Sequence, residues 1–244
     1  MLSHINPFNL IFIDIETVPQ YGSFQQLSAA MRQLWAIKHS TLKTENESPE
    51  DGYLKRAGVY SEFAKVICIS IGFFHFDKEK NRKTFRVKSI SGGDEKLLLE
   101  EFLAMVEKSF PDPERFHFCG HNIYEFDLPF ICRRLLINSF GLPPMFDFAG
   151  KRPWEMQNVD TMQLWKFGDH KNYTSLKLLA EVLDIPTPKD DIDGKDVCSV
   201  FWEENNLSRI VEYCQKDVVT VARLLLRFKG DKQLLNDEDV VIVK

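Results

Sequence analysis

The chain has 244 residues, 44% of them hydrophobic and 27% charged, with a formal net charge of −5. That length suits one large α/β domain or two small ones, with ample chain to bury a core. A mildly acidic balance argues against coating or packaging long nucleic acid, which phosphate neutralisation drives, but allows an enzyme that holds only a chain end.

The start, MLSHINPFNLIF, lacks the basic head and long apolar run of a signal peptide. No window reaches about 18 consecutive apolar residues, so no membrane span is expected and the expected location is cytoplasmic. Residues 9–16 predict a strand, and FQQLSAAMRQLWAI (24–37) an amphipathic helix. KHSTLKTENESPEDG then reads as a polar loop. VICISIGFFHF (66–76) predicts a long strand, with TFRVKSI (84–90) as its hairpin partner across the charged turn DKEKNRK. Asp94 caps a predicted helix to about Lys108, with Leu97, Leu98, Phe102, Met105 and Val106 on its inner face.

RFHFCG (115–120) predicts a short strand, followed by a helix near 124–138. NVDTMQLW (158–165) begins as a strand and turns helical, and SLKLLAEVLDI (175–185) is a short helix stopped by Pro186. LSRIVEYCQKDVVTVARLLLRF (207–228) is a helix of about six turns, and DVVIV in the tail predicts a short edge strand. Antiparallel strands first, then alternating strands and helices, predict an α/β fold with a mixed sheet flanked by helices. No repeat, low-complexity block or Pro/Gly linker divides the chain. One domain over 1–244, with a helical insertion at about 20–62, is the simplest reading. The 20 Phe residues predict a core rich in aromatic packing, and the five cysteines, odd in number and without CxxC, read as reduced core thiols.

Three stretches carry chemistry. In LIFIDIET the strand period puts Leu10, Phe12, Asp14 and Glu16 on one face and Ile11, Ile13 and Ile15 on the other. Two carboxylates about 6.5–7 Å apart along a strand repel where water is scarce. Either one stays protonated, or both end the strand in solvent, or a cation sits between them. In GHNIYEFDLPFI (120–131), Gly120 allows a tight turn or close approach, and Asp127 sits among apolar neighbours where it needs a partner. A surface Asp favoured by a helix dipole is the plainer alternative. In the last helix the apolar stripe is Leu207, Ile210, Val211, Cys214, Val218, Val221 and Leu225, and Arg209, Glu212, Lys216, Arg223 and Arg227 form the charged face. Tyr213 and Asp217, four residues apart, stack at the flank between them. Taken together, the four acids are a hard-oxygen set suited to Mg²⁺ or Mn²⁺ and not zinc. Two such ions about 4 Å apart serve phosphodiester hydrolysis.

These residues resemble the DEDD (DnaQ-like) superfamily of 3′–5′ exonucleases, which have a ribonuclease H-like fold. Asp14-Ile15-Glu16 matches the first motif, HNIYEFD with Asp127 the second, and Tyr213-x3-Asp217 the third in its tyrosine form. HNIYEFDLPFI, VICISIG, and SLKLLAEVLDIP followed by DIDGKDV look most like the stand-alone proofreading-type exonucleases related to family B DNA polymerases. The resemblance covers about residues 9–228. It implies two Mg²⁺ or Mn²⁺ ions per site, with Asp14, Glu16 and Asp217 on the tighter one, Asp14 bridging, and Asp127 acting directly or through water. It implies that Tyr213 positions the attacking water. Asn122, Phe126 and Thr17 become substrate-binding candidates, set against a turn-stabilising Asn and a core Phe. The implied partner is nucleic acid with a free 3′ end, single-stranded DNA ahead of RNA; replication or repair proteins are further candidates.

KEKNRKTFRVK (78–88) reads as a solvated hairpin turn or, less simply, as a phosphate track beside the cleft. KDDIDG fails as a calcium loop because Lys189 and Val200 fill its first and twelfth positions. Asp160 reads as a structural or supporting carboxylate. Against the exonuclease stand a non-catalytic nucleic-acid or replication-protein binding module and an internally cutting nuclease. A binding module has no physical reason to keep four acids in mutual repulsion.

Overall fold

Alternating isoleucines build the central strand. In the computed structural model, which describes residues 2–42, 46–78, 81–152, 155–169, 173–187, 192–231 and 235–243, that strand is β1 (Leu10–Pro19). β2 (Ala64–Asp77) pairs antiparallel with it, Phe12 opposite Gly72 and Glu16 opposite Cys68, with an irregularity after Glu16. β3 (Arg82–Ser91) is antiparallel to β2. On the other side, β4 (His117–Gly120) runs parallel to β1 and β5 (Val159–Asp160) parallel to β4. The short β6 (Val240–Val243) adds parallel to β3, giving the order β5-β4-β1-β2-β3-β6.

Between β1 and β2 lie α1 (Ala29–Ser40) and α2 (Pro49–Arg56). Then come α3 (Glu95–Ser109), α4 (Asp127–Ile137), α5 (Thr161–Lys166), α6 (Leu176–Val182), α7 (Val197–Trp202) and α8 (Leu207–Lys229). The odd-numbered isoleucines of β1 pack with Leu98, Leu99 and Phe102 of α3 and Leu128, Ile131 and Leu135 of α4. Leu10 and Phe12, on the opposite face, pack with Val218, Val221 and Leu225 of α8. Each such side chain contributes roughly 1.5–3 kcal/mol on burial. The aromatic content sits where expected: Phe12 and Phe85 meet edge-on, ring centres 5.3 Å apart, beside Phe74.

Several elements differ from the sequence reading. The first helix begins at Ala29, because Ser28 caps it through Met31 N and a short 3-10 turn occupies Phe24–Gln26. The stretch read as a loop ends in the first half of α2, started by Ser48 at its cap, Pro49 in the first turn and Glu50 and Asp51 behind. α7 was unpredicted. The helix after β4 starts at Asp127, not 124. α6 ends at Val182, before Pro186, in a left-handed Asp184 with Ile185 N bonded to Ala180 O. Leu97 points outward, 63% exposed, and Leu99 takes its place inside. Lys43–Glu45, Lys80 of the basic run and Lys189 lie outside the described residues.

Arg223 is the clearest reversal. Its helical position matches the charged face, yet it is 1% exposed. Its guanidinium donates to the carbonyls of Leu235 and Pro186 and to the Asp237 carboxylate, tying α8 to the segments that flank it. Arg82 and Lys83, opposite Asp77 and Phe76, lie beyond the N-terminal end of β1, and none of the described residues of the basic run lines the cavity that holds the carboxylates. Arg82 there pairs with Asp239.

The α1–α2 hairpin has its own small core of Trp35, Tyr53 and Phe63, with Trp35 Nε1 donating to Pro49 O at 2.7 Å. Its base is clamped by a buried pair. Arg134 of α4 donates through Nε to Glu95 at 2.8 Å, and also to Ser61 O and Gln20 Oε1. Glu95 further accepts from Val66 N and Asn138. No described helix is long and apolar enough to cross a membrane.

Candidate active site

At the C-terminal end of β1 a cavity of about 490 Å³ opens, and Asp14, Glu16, Asp127, Tyr213 and Asp217 all line it. Asp14 and Glu16 come from one strand face, so their side chains point the same way. Their nearest carboxylate oxygens lie within 4.8 Å of each other. Asp127 reaches the pair from the first turn of α4. Its Oδ1 accepts the backbone N–H of Ile15, the residue between the two acids, at 3.2 Å. Tyr213 and Asp217 arrive from α8, one helical turn apart, and burial followed by the Asp217 charge pushes the phenol pKa up.

Gly120 explains how α4 comes so close. A β-carbon there would sit 2.8 Å from Ile13 O and 2.1 Å from Ile123 Cγ2, so only glycine lets β4 turn against β1 at this point. Asp160 shapes the next turn. It is buried, and it accepts from Asn122 N at 3.0 Å, Tyr124 N at 3.2 Å, and Met162 N and Gln163 N of α5. Its oxygens are thus committed to backbone. His121 is fixed beside it: Nε2 donates to Thr174 O at 2.8 Å and Nδ1 meets the Thr161 hydroxyl at 2.9 Å. Burial pulls its pKa down, so the ring is neutral.

The electrostatics of the acids are unfavourable without a cation. Burial, then repulsion from Asp217 and Asp127, pushes Asp14 well above the usual carboxylate range. Burial and then Asp14 do the same to Glu16, which is 8% exposed. Burial raises Asp127 to about 7, against the pull of the backbone N–H groups of Asp127 and Ile15. Asp14 as a residue is half-buried, yet its Oδ2 is closed to water and has no hydrogen-bond partner among the described residues. An orphaned carboxylate oxygen beside three further acids is the donor chemistry of a hard divalent ion. The Cys214 sulfur lies equally near. Its thiol, however, donates to the Asp14 carbonyl at 3.4 Å, and burial keeps it protonated, so it supports the floor.

The three substrate-binding candidates also line the cavity. Asn122 has left-handed backbone (φ 68°), and its Oδ1 is buried without a partner. Phe126 is half-buried against Phe130, ring centres 5.4 Å apart. Thr17 spends its hydroxyl on Gly58 O at 2.7 Å, which ties the α1–α2 segment to β1. Sequence reading missed the rest of the wall: Leu54, Lys55 and Val59 after α1, Tyr173 before α6, and Lys195 before α7. The only hint was DIDGKDV following the α6 helix.

Residues 59–242 match the family described as a predicted 3′–5′ exonuclease related to the exonuclease domain of PolB. No curated protein matches the chain. Among solved structures, it is similar to the family B DNA polymerase of the hyperthermophilic archaeon Pyrobaculum calidifontis: TM-score 0.54, 16% identity, 91% of this chain and 25% of the polymerase. The chain thus spans about a quarter of that polymerase, and the likeness establishes the fold, a ribonuclease H-like mixed sheet flanked by helices. With three quarters of its length inside the family match, the chain belongs to the predicted 3′–5′ exonucleases related to the PolB exonuclease domain.

Proposed function

We propose that this chain is a metal-dependent 3′–5′ exonuclease that removes nucleotides from the unpaired 3′ end of DNA, with RNA as the alternative substrate. The observation that carries the reading is one cavity holding four acids and Tyr213, with Asp14 Oδ2 left unpartnered. Asp14, Glu16, Asp127 and Asp217 would hold two Mg²⁺ or Mn²⁺ ions, which supply a water acidic enough to attack at neutral pH and neutralise charge on the attacking and leaving oxygens.

The chain's own groups do the rest. Burial and the neighbouring acids raise the Tyr213 pKa, so its phenol stays protonated and is no base. The phenol, one turn from Asp217 on α8, orients the attacking water. A water oxygen bonds to the terminal phosphorus, the bond to the 3′-oxygen of the preceding nucleotide breaks, and that oxygen takes a proton. A 5′-mononucleotide leaves. Asn122 Oδ1, without a partner among the described residues, suits a sugar hydroxyl, and Phe126 lines the same cavity.

Incubation of the purified protein with 5′-labelled single strands and Mg²⁺ or Mn²⁺ tests this. A ladder shortening one nucleotide at a time is expected, with closed circles left intact. No shortening of DNA or RNA with either metal overturns the reading, and cutting of circles makes the enzyme an endonuclease.

A further inference from the structure

One large side chain at the cleft is placed where core packing cannot account for it. Tyr173 is 65% exposed, although it lines the cavity that holds the four acids. Its ring meets His121 edge-on, with centres 6.5 Å apart and planes at 71°. His121 is itself pinned at both ring nitrogens, so the shelf under Tyr173 is rigid. No hydrogen bond holds the Tyr173 hydroxyl among the described residues. A second exposed apolar side chain, Val59, 59% exposed, lines the same cavity from the segment after α2.

We propose that Tyr173 is a stacking platform for a base of the unpaired 3′ strand, a positioning residue that makes the site select single strands. This rests on the exonuclease reading. Aromatic rings on a fixed support bind bases without regard to sequence, because every base offers a π-face. Preorganisation by His121 spares the entropy of ordering the ring. A free phenol is protonated at neutral pH, so the platform carries no negative charge towards the strand. A base held in a duplex cannot offer its face in a cavity of about 490 Å³ walled by both segments. Paired ends must therefore fray before they engage. Tyr213 is half-buried beside the acids and offers no such exposed ring.

The test uses the full chain with Ca²⁺ in place of Mg²⁺ and short single strands carrying 2-aminopurine at, or next to, the 3′ end. Stacking quenches that fluorophore. Wild type and Tyr173→Phe are expected to quench it and to bind within about two-fold of each other. Tyr173→Ala is expected to lose the quenching and weaken binding about ten-fold. With Mg²⁺ restored, the alanine variant should raise KM for single strands about ten-fold with kcat within about two-fold. Equal quenching by Tyr173→Ala and wild type overturns the proposal, as does absence of quenching in wild type. Loss on Tyr173→Phe equal to that on Tyr173→Ala also overturns it, because the hydroxyl and not the ring would then be the contact. If wild type quenches but never shortens the strand with Mg²⁺ or Mn²⁺, the exonuclease reading fails while the platform stands. Melting temperatures matching wild type show that both variants are folded, as expected for so exposed a side chain.

Discussion

At the scale of single residues, the cleft is governed by which acids have partners and which do not. Asp160 has four backbone donors and is spent on structure, whereas Asp14 Oδ2 has none. That contrast, and not the count of carboxylates, separates the scaffold acid from the candidate ligand. Tyr213 differs again, since burial and the neighbouring Asp217 keep its phenol protonated. Tyr213→Phe keeps the ring and deletes only the donor, so kcat should fall by about 10–1,000-fold, the range for losing one well-placed catalytic group. Manganese affinity, measured by titration calorimetry, should change less than about two-fold. Unchanged kcat would remove the phenol from the reaction. The pattern D-x-E and the Tyr-x3-Asp spacing were legible because each lies within one strand or one helix, where the period fixes direction. Arg223 was not, because a helical position says nothing about which distant segment will cover it.

Elements carry a second layer of information. The strands were legible from β-branched alternation, and β1, β2 and β3 form the antiparallel start that alternation predicts. α2 was missed because PEDGYLKR is mostly polar, and its stability comes from capping and from Tyr53 packed on Trp35. Two polar devices hold this hairpin against the cleft. The Glu95–Arg134 pair clamps its base, and removing one partner strands a buried charge. Arg134→Ala should therefore cost about 3–5 kcal/mol in urea unfolding, and the folded remainder should lose kcat/KM as the Val59 wall shifts. A cost below about 1 kcal/mol would show that the clamp is dispensable. The second device is Glu47, which accepts from Arg56 at 2.6 Å and contacts His39 and Lys55. Arg56 first, then His39, hold its carboxyl down at about 2 from an ordinary 4.5. Its folded form thus binds fewer protons, and its contribution is present above about pH 4.5 and lost as pH falls towards 2. The melting temperature of Glu47→Gln should lie below wild type at pH 7, and the gap should shrink from about pH 4.5 downwards and close as pH approaches 2. A gap that stays constant with pH would exclude this ion cluster as its source.

For the whole molecule, three acids held above their normal pKa mean that the metal-free cleft opposes the fold near neutrality. A raised Asp127, at about 7 against 3.8, contributes stability that is present at low pH and lost as pH rises through 7. Divalent cations should relieve this. Mn²⁺ at about 100 times its Kd should add about 2.7 kcal/mol and raise the melting temperature by roughly 5–10 °C. The gain should be larger at pH 8 than at pH 6, and Asp14→Asn with Asp217→Asn should abolish it. A melting temperature indifferent to Mn²⁺ and Mg²⁺ would count against an ion site. Tyr173 and Val59 were illegible in sequence for a related reason: the cavity joins segments that share no local pattern, and only the assembled sheet brings them together.

The cleft takes its acids from the first strand, from the helix after the fourth, and from the long helix near the other end of the chain. During translation β1 emerges well before α8, so the two halves of the cleft are never made together. A nascent chain that has not yet released α8 lacks Tyr213 and Asp217, and so cannot hold the four acids in one cavity.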